Sequence, residues 1–524
     1  MRIRRLKSGR SNLLDRLSGL FRPISSKRNQ PDTISHVLER VTEKYPTKDA
    51  VVCDNIRLTF NQLKEQANRL GTGLSALGIT HGSWVAIMLP NCPEFVVSFL
   101  AIAKIGAVVV PVDIYYQQPE LERLLYDGNI TTLITSSEFL DTAKPIINKC
   151  AGFKNLILKE SNCKDHLSIE DLLNTGEEVK RINPKTKSQD DLLYFYTSGT
   201  TGTPKGVLLS HAKAIAIGKA WRKRFPITDD DKCYTLAPLF RSPALLSVLV
   251  AGLCYGITMV IPSAFRPKQV WEQIDFDNIS FFHANPFHFA ALANMPSEEN
   301  RKIPALKLCY SSGNRLSPKV ARKFLDRFGI RIEERYGTLE AGGICRKGYP
   351  LKGVRIKLVD EKGKKVKAKN RMGEIVVKTP TMVKEYYNLP ELSRKVFKGG
   401  WFHTGDLGKI DQNGKLHILY RKKAVVFIDD KEVYPDEVEQ VLCSHQKVEN
   451  ARVVKDKSKT ERVALKAIVV LKESCTQEAL LRFCESKLEA HKIPNLIEFR
   501  KELPRSWKAV IDGVEQAYPR WGES

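Results

Sequence analysis

The sequence predicts an α/β protein that ends in a smaller α+β unit, and three observations carry this. From Pro31 to about Gly348, helix-period segments alternate with short apolar strand-like runs. Beyond Gly348 the texture changes to short strands joined by turns, and the last hundred residues return to helix and strand. With 524 residues the chain is too long for one compact domain, the usual prior being about two to four. A composition of 42% hydrophobic and 27% charged residues supplies a large core, with no internal repeat.

Taken in order, "FNQLKEQANRLGTGL" has helical periodicity, and "WVAIML" is a short apolar strand. "PEFVVSFLAIAKIG" is a helix opened by proline and closed by glycine, and "AVVVPV" a further strand. "PELERLLYDG" and "TTLITS" repeat the theme, which argues for parallel sheets covered by helices. Residues 244–261, "ALLSVLVAGLCYGITMVI", carry no charge over eighteen positions and resemble a membrane span. Gly252 and Gly256 divide them, so a buried helix followed by a buried strand fits better. "VRIKLVD", "KKVKAKNRMGEIVVK" and "GKLHILY" suggest a small antiparallel barrel or sheet. Its lysine-rich hairpin, Lys362 to Arg371, reads as a solvated turn, with a docking patch for an anionic surface as the lesser reading. "YPDEVEQVLCSH", "VALKAIVVL" and "TQEALLRFCESKLE" give helix, strand and helix of the last unit.

The net charge is +25, from 84 basic and 59 acidic residues. Nucleic acid is the sharp reading of such a balance, but no zinc-finger, RNP-type or basic-helix pattern accompanies it, so no specific nucleic-acid partner is expected. Weak attraction to anionic membranes or other polyanions is the expectation instead. Residues 1–30 hold nine of the basic residues and one acidic residue, with Leu13, Leu14, Leu17, Leu20 and Phe21 at helical spacing. A transit peptide, a helix lying on a membrane and a frayed basic extension carry equal weight there. Eleven scattered cysteines, with no Cys/His cluster at metal spacing, indicate reduced thiols and a cytoplasmic setting, with peripheral membrane association through the basic extension as the alternative.

The chemistry concentrates in "YTSGTTGTPKG", residues 196–206, which follows the strand "LLYFY" and precedes the strand "GVLLSH". Thr197, Ser198, Gly199, Thr200, Thr201, Gly202 and Thr203 run together, then Pro204 and Lys205. Glycines let backbone N–H groups converge, hydroxyls add donors and the lysine adds positive charge, which together suit a polyphosphate. A Walker loop needs glycine directly before its lysine, and here that position is Pro204. A solvated Ser/Thr-rich loop is the alternative reading.

This stretch resembles the phosphate loop of the adenylate-forming superfamily, which includes acyl-CoA synthetases, aryl-CoA ligases, luciferases and peptide-synthetase adenylation domains. "ERYGTLEAG", "GEIVVK", "EYYNLPE", "GGWFHTGDLG" and "YRKKAVV" follow in that family's order, so the likeness covers about residues 31–513. It implies ATP and Mg²⁺ as cofactors and a carboxylic acid, fatty or aryl, as substrate, activated as an acyl-adenylate and passed to CoA, an acyl-carrier protein or another acceptor. The implied fold is a large N-terminal domain of two doubly wound β/α lobes plus a small β-barrel, then a small mobile α+β C-terminal domain. Mapped here, these are a basic extension over 1–30, the large domain over 31–420 and the small domain over 421–524. Lys205 and the loop hydroxyls would hold the β- and γ-phosphates. Tyr336, with Gly337 and Thr338, would take the adenine side, Glu340 the metal, Asp406 and Arg421 the ribose, and Lys423 would be the hinge. The acid pocket would lie near "HANPFHFAAL" and "YSSGNRL".

Several positions depart from the family pattern. "PRSWKAVID" puts Val510 where the catalytic lysine is expected, with Lys508 two places early, able to serve only through a compensating deletion. Asp430, after Asp429, replaces the glycine lining the pantetheine tunnel, where an unpaired carboxylate obstructs the arm and counts against CoA. Leu339 replaces a hydroxyl residue before Glu340, and Thr338 substitutes only if the backbone shifts. Arg241, in "APLFRSP", replaces a histidine at the wall between acid and nucleotide. There it either pairs with a second carboxylate of the substrate or blocks the pocket. Two readings follow: an AMP-forming acid:CoA ligase or acyl-adenylating enzyme, and a ligase-derived nucleotide- or acyl-binding protein with impaired turnover.

Overall fold

The computed structural model describes residues 32–503 apart from 117, 129, 151, 162–165, 176–185, 198–204, 221–226, 296–303, 314–315, 423–425, 429–430, 457–463 and 502. It divides into two compact bodies. The first comprises the described residues through Thr197 together with Lys205–Lys347 and Thr381–Pro390; the second comprises Gly348–Pro380 and the chain from Glu391 on.

Two mostly parallel sheets build the first body, as the alternation predicts. One carries, in spatial order, Leu167–Ser168, Asn155–Leu158, Thr132–Thr135, Trp84–Met88, Val108–Pro111, Asp191–Thr197 and Lys205–Ser210. All neighbours are parallel except the last pair, which is antiparallel. The other runs Ile56–Thr59, Asp49–Cys53, Thr258–Val260, Lys232–Thr235, Phe281–Ala284, Leu308–Ser311, Ile332–Thr338, Gly342–Arg346. Its first and last pairs are antiparallel and its interior is parallel. Parallel strands buried on both faces need near-continuous apolar runs, which is why Trp84–Met88 and Val108–Pro111 read so clearly.

Local chemistry sets the helices. Helix Phe60–Ala76 opens on a capping box. The Gln62 N–H donates to the Thr59 hydroxyl at 3.2 Å, and the Gln62 side chain accepts from the Thr59 N–H at 2.9 Å. Leu63, Ala67, Leu70 and Leu74 then fall on one buried face. Trp271, Phe282, Phe289, Phe324 and Phe328 form the aromatic centre of one hydrophobic core, the Trp271 and Phe328 rings 4.4 Å apart.

The uncharged stretch 244–261 resolves into buried helix and buried strand. Helix Ser242–Ala244 widens into a π-helical turn over Leu245–Val250, continues as Ala251–Tyr255, and stops at Gly256 in the left-handed region, φ 70°. A Cβ at Gly256 would also stand 2.5 Å from the Tyr45 ring, so glycine is required twice over. Strand Thr258–Val260 follows. Among the described residues no helix is long and apolar enough to cross a membrane.

The second body carries three separate sheets, one of them the two-stranded antiparallel pair of Val426–Ile428 and Lys431–Val433. Arg355–Val359, Met372–Lys378, Phe397–Lys398, Trp401–Ile410 and Leu416–Arg421 form an antiparallel five-stranded sheet. Lys362, Lys364, Lys365, Lys367, Lys369 and Arg371 are all exposed, as a solvated turn requires. Val448–Asp456, Ala464–Leu471 and Leu496–Phe499 form the third sheet. Helices Pro435–Ser444 and Gln477–Glu485 bury Val438, Leu442 and Leu480 in the same core as its Val453, Leu465 and Val469. The ten described cysteines are free.

Candidate functional site

Strands Asp191–Thr197 and Lys205–Ser210 are paired in register, with Thr197 opposite Lys205. The loop residues Ser198, Gly199, Thr200, Thr201, Gly202 and Thr203 lie outside the described residues, as does the Thr197 side chain; the two backbone ends of the loop are thus fixed by sheet pairing. Gly206 has its own reason to be glycine. A Cβ there would meet the Tyr194 ring and hydroxyl at 2.1–2.4 Å, and Tyr194 is 1% exposed.

Lys205 is half-buried, and its Nζ stands 4.9 Å from the ring centroid of Tyr386. The Tyr386 hydroxyl donates to Glu340 Oε1 at 2.7 Å. The structure therefore brings the lysine of the phosphate loop and the expected metal carboxylate to the same buried tyrosine. Glu340 follows the strand Ile332–Thr338, which holds Tyr336, Gly337 and Thr338. A Cβ at Gly337 would be 2.6 Å from the carbonyl oxygen of Gly342, so the paired strand admits only glycine. Thr338 Oγ1 accepts from the Ala341 N–H at 3.1 Å, so the hydroxyl nearest Leu339 holds the turn carrying Glu340.

Tyr386 lies in Thr381–Pro390, a strap bonded to both parts of the site. The Val383 N–H donates to the Glu340 carbonyl at 2.8 Å, the Thr381 hydroxyl to the Ala341 carbonyl at 2.9 Å, and the Tyr387 N–H to the Gly206 carbonyl at 2.8 Å. Lys213 Nζ donates to the Met382 carbonyl.

Arg241 begins the helix Ser242–Ala244, and its guanidinium pairs with the Asp113 carboxylate. Asp113 follows strand Val108–Pro111 and also accepts from the Tyr115 N–H at 3.1 Å. Burial pushes its carboxyl above the ordinary value, and Arg241 opposes that rise. Of the two roles set out for Arg241, pairing with a carboxylate is thus met by a residue of the chain itself. Asp113 is a partner of Arg241 that sequence reasoning missed, since nothing in "PVDIYY" marks a partner 128 positions away.

The two stretches expected near the acid pocket are neighbours, because strands Phe281–Ala284 and Leu308–Ser311 pair in parallel. His283 bridges Thr235 Oγ1, 2.9 Å from Nδ1, and Ser312 Oγ, 2.7 Å from Nε2. Its ring stacks on Tyr310 at 4.5 Å and 10°, and the Arg335 guanidinium lies 4.5 Å from the Tyr310 ring centroid. Burial, then the charge of Arg335, pushes the imidazole down to about 3, so it is neutral wherever the protein is folded near neutrality.

In the second body, Asp406 and Arg421 face each other across paired strands, Arg421 Nε donating to Asp406 Oδ1 at 2.7 Å. Asp406 is 3% exposed, whereas Arg421 reaches solvent. The Thr404 hydroxyl accepts from the Asp406 N–H at 3.0 Å and donates to the Ile375 carbonyl at 2.7 Å, which fixes the bend at Gly405. Lys423, Asp429, Asp430, Lys508 and Val510 lie outside the described residues.

The residues fit a magnesium nucleotide. Glu340 presents a carboxylate whose one oxygen is held by Tyr386, leaving the other for a hard cation. Among the described residues no three His, Cys, Asp or Glu side chains converge as a metal cage, and magnesium held by one carboxylate and substrate phosphates needs none.

Comparison with known proteins agrees with this geometry. Residues 38–387 match the AMP-binding enzyme family, and residues 437–508 match the AMP-binding enzyme C-terminal domain. The chain is 29% identical to the long-chain-fatty-acid–CoA ligase of Bacillus subtilis (strain 168), over 90% of this chain and 92% of that protein. It is 29% identical to the oxalate–CoA ligase of Arabidopsis thaliana, over 92% of this chain and 97% of that one. Among solved structures, the anthranilate CoA ligase AuaEII in complex with anthranoyl-AMP superposes with a TM-score of 0.81 at 25% identity, covering 91% of this chain and 95% of that one. The O-succinylbenzoate coenzyme A synthetase MenE of Bacillus subtilis, in complex with AMP, gives 0.78 at 25% identity, covering 91% and 96%.

Proposed function

Since this chain belongs to the AMP-binding enzyme family, we propose that it is an AMP-forming acid ligase, with a fatty or aryl acid as substrate and CoA as the first acceptor to test. In the first half-reaction an oxygen of the acid's carboxylate attacks the α-phosphorus of ATP. The bond from that phosphorus to the α–β bridging oxygen breaks, giving acyl-adenylate and pyrophosphate. In the second, the acceptor's thiol attacks the acyl carbon, losing its proton, and AMP leaves with the bonding pair.

The side chains divide this work by charge. Lys205, at the mouth of the loop, neutralises the β- and γ-phosphates, while the hydroxyls and backbone N–H groups of 197–203 donate to them. Tyr336, with Gly337 and Thr338, flanks the adenine, and Asp406 with Arg421 takes the ribose hydroxyls. Glu340 holds Mg²⁺, which when bound withdraws charge from the departing pyrophosphate. His283 keeps the Ser312 hydroxyl oriented at the wall of the acid pocket. Arg241 shapes that wall through Asp113. Lys423 serves as the hinge between a large domain over 31–420 and a small one over 421–524. Lys508 stands in for the displaced lysine only in the shifted register. Residues 1–30 add weak attraction to an anionic membrane, and an acyl-carrier protein is the alternative acceptor.

The observation that carries this reading is the meeting of Lys205 and Glu340 on one tyrosine at the end of the loop hairpin. Acid-dependent exchange of labelled pyrophosphate into ATP tests it. Exchange with at least one acid is expected; its absence across fatty and aryl acids, with ATP still bound, counts against adenylation.

A further inference from the structure

We infer that Tyr386 is a positioning residue for the triphosphate–magnesium site, one side chain that orients the phosphate-loop lysine and the metal carboxylate together; this rests on the nucleotide-site reading above. Its ring offers Lys205 a π-face at 4.9 Å, and its hydroxyl donates to Glu340 Oε1 at 2.7 Å. The two groups carry opposite charges and opposite tasks, so their placement sets where the phosphates and their cation sit. A carboxylate held through one oxygen presents the other in a fixed direction, as hydrogen-bonded outer residues do at metal sites.

Tyr386 is itself immobilised, being 3% exposed. Three positions before it, the Val383 N–H is bonded to the carbonyl of Glu340; one position after it, the Tyr387 N–H is bonded to the carbonyl of Gly206. The strap thus joins the backbone of the metal residue to the residue after the loop lysine, with Tyr386 between the two bonds. The Tyr387 ring packs 5.2 Å from Trp84 and 5.6 Å from Tyr194, which anchors the strap on the sheet. A tyrosine kept only for packing would need no contact with either charge.

The discriminating experiment is calorimetric binding of ATP to the full chain, in excess Mg²⁺ and in EDTA, with thermal melting as the folding control. Tyr386→Phe keeps the ring and removes the donor to Glu340. Its affinity for ATP in Mg²⁺ should fall about tenfold or more while that in EDTA changes less than about twofold. Tyr386→Leu removes both contacts, so affinity should fall in both conditions. Tyr386→His, whose ring N–H still donates, should recover part of the Mg²⁺-dependent loss and serves equally if the phenylalanine variant does not fold. Equal losses in Mg²⁺ and EDTA for Tyr386→Phe, or none, would overturn the positioning role alone. Failure of the wild-type chain to bind ATP in either condition would overturn the nucleotide-site reading itself, and this role with it.

Discussion

The guanidinium of Arg241 and the carboxylate of Asp113 form an ion pair with unequal exposure, the aspartate side chain 10% exposed and the arginine 59%. Such a pair stabilises chiefly by sparing the buried partner an uncompensated charge.

Arg241→Ala should therefore destabilise the protein by about 1–3 kcal/mol, less than for a wholly buried pair because water already reaches the arginine. The loss should depend on pH. Burial already raises the Asp113 carboxyl above its ordinary value, and removing Arg241 raises it further. A carboxyl raised in the folded state favours folding while protonated and costs stability once pH rises through its folded value. The gap between variant and wild type should thus be widest near neutrality and narrow on acidification. Melting temperatures at pH 5 and 7 check this, and Asp113→Asn in the variant background should recover most of the neutral-pH loss.

Buried imidazoles give the opposite dependence. Burial pushes His211 and His288 down to about 4 and His283 to about 3. Below about pH 6.5 the unfolded chain binds protons that these folded residues refuse. Each then subtracts up to about 1.4 kcal/mol per pH unit until its folded value is reached. His283→Gln should be less stable at pH 7, through loss of the Thr235 and Ser312 contacts, yet show a shallower decline towards pH 5. Denaturation midpoints across that range would contradict this if the two profiles ran parallel.

Val510 concerns chemistry more than stability. Restoring the expected lysine by Val510→Lys should raise pyrophosphate release by about 10²–10³, the usual effect of one preorganised group meeting developing charge. No gain in a variant that still binds ATP would place the limiting defect elsewhere, with Leu339 the next residue to restore to a hydroxyl.

The legible parts of the sequence were those in which local pattern and tertiary demand coincide. Val108–Pro111 is apolar at every position because both its faces are buried, and Gly256 ends its helix because only glycine takes that backbone angle beside Tyr45. Asp406 and Arg421 were each assigned to the ribose by motif order; that they stand opposite each other across paired strands was not read from the sequence and comes from the strand register. The π-helical turn at Leu245–Val250 was not legible, since an unbroken apolar run has no period to reveal a widened turn. Tyr386 stood in a quoted motif, "EYYNLPE", but its contacts reach 46 and 181 positions back along the chain, to Glu340 and Lys205, and only the folded strap shows them. Asp113 carried no local mark at all.

The central claim is acid adenylation, and its most direct test is pyrophosphate release by the purified protein with ATP, Mg²⁺ and a panel of fatty and aryl acids, with and without CoA. The account predicts acid-dependent release that falls by about 10²–10³ in Lys205→Ala and in Asp406→Ala. Undiminished release in both variants, or none from the wild type while ATP remains bound, would contradict it.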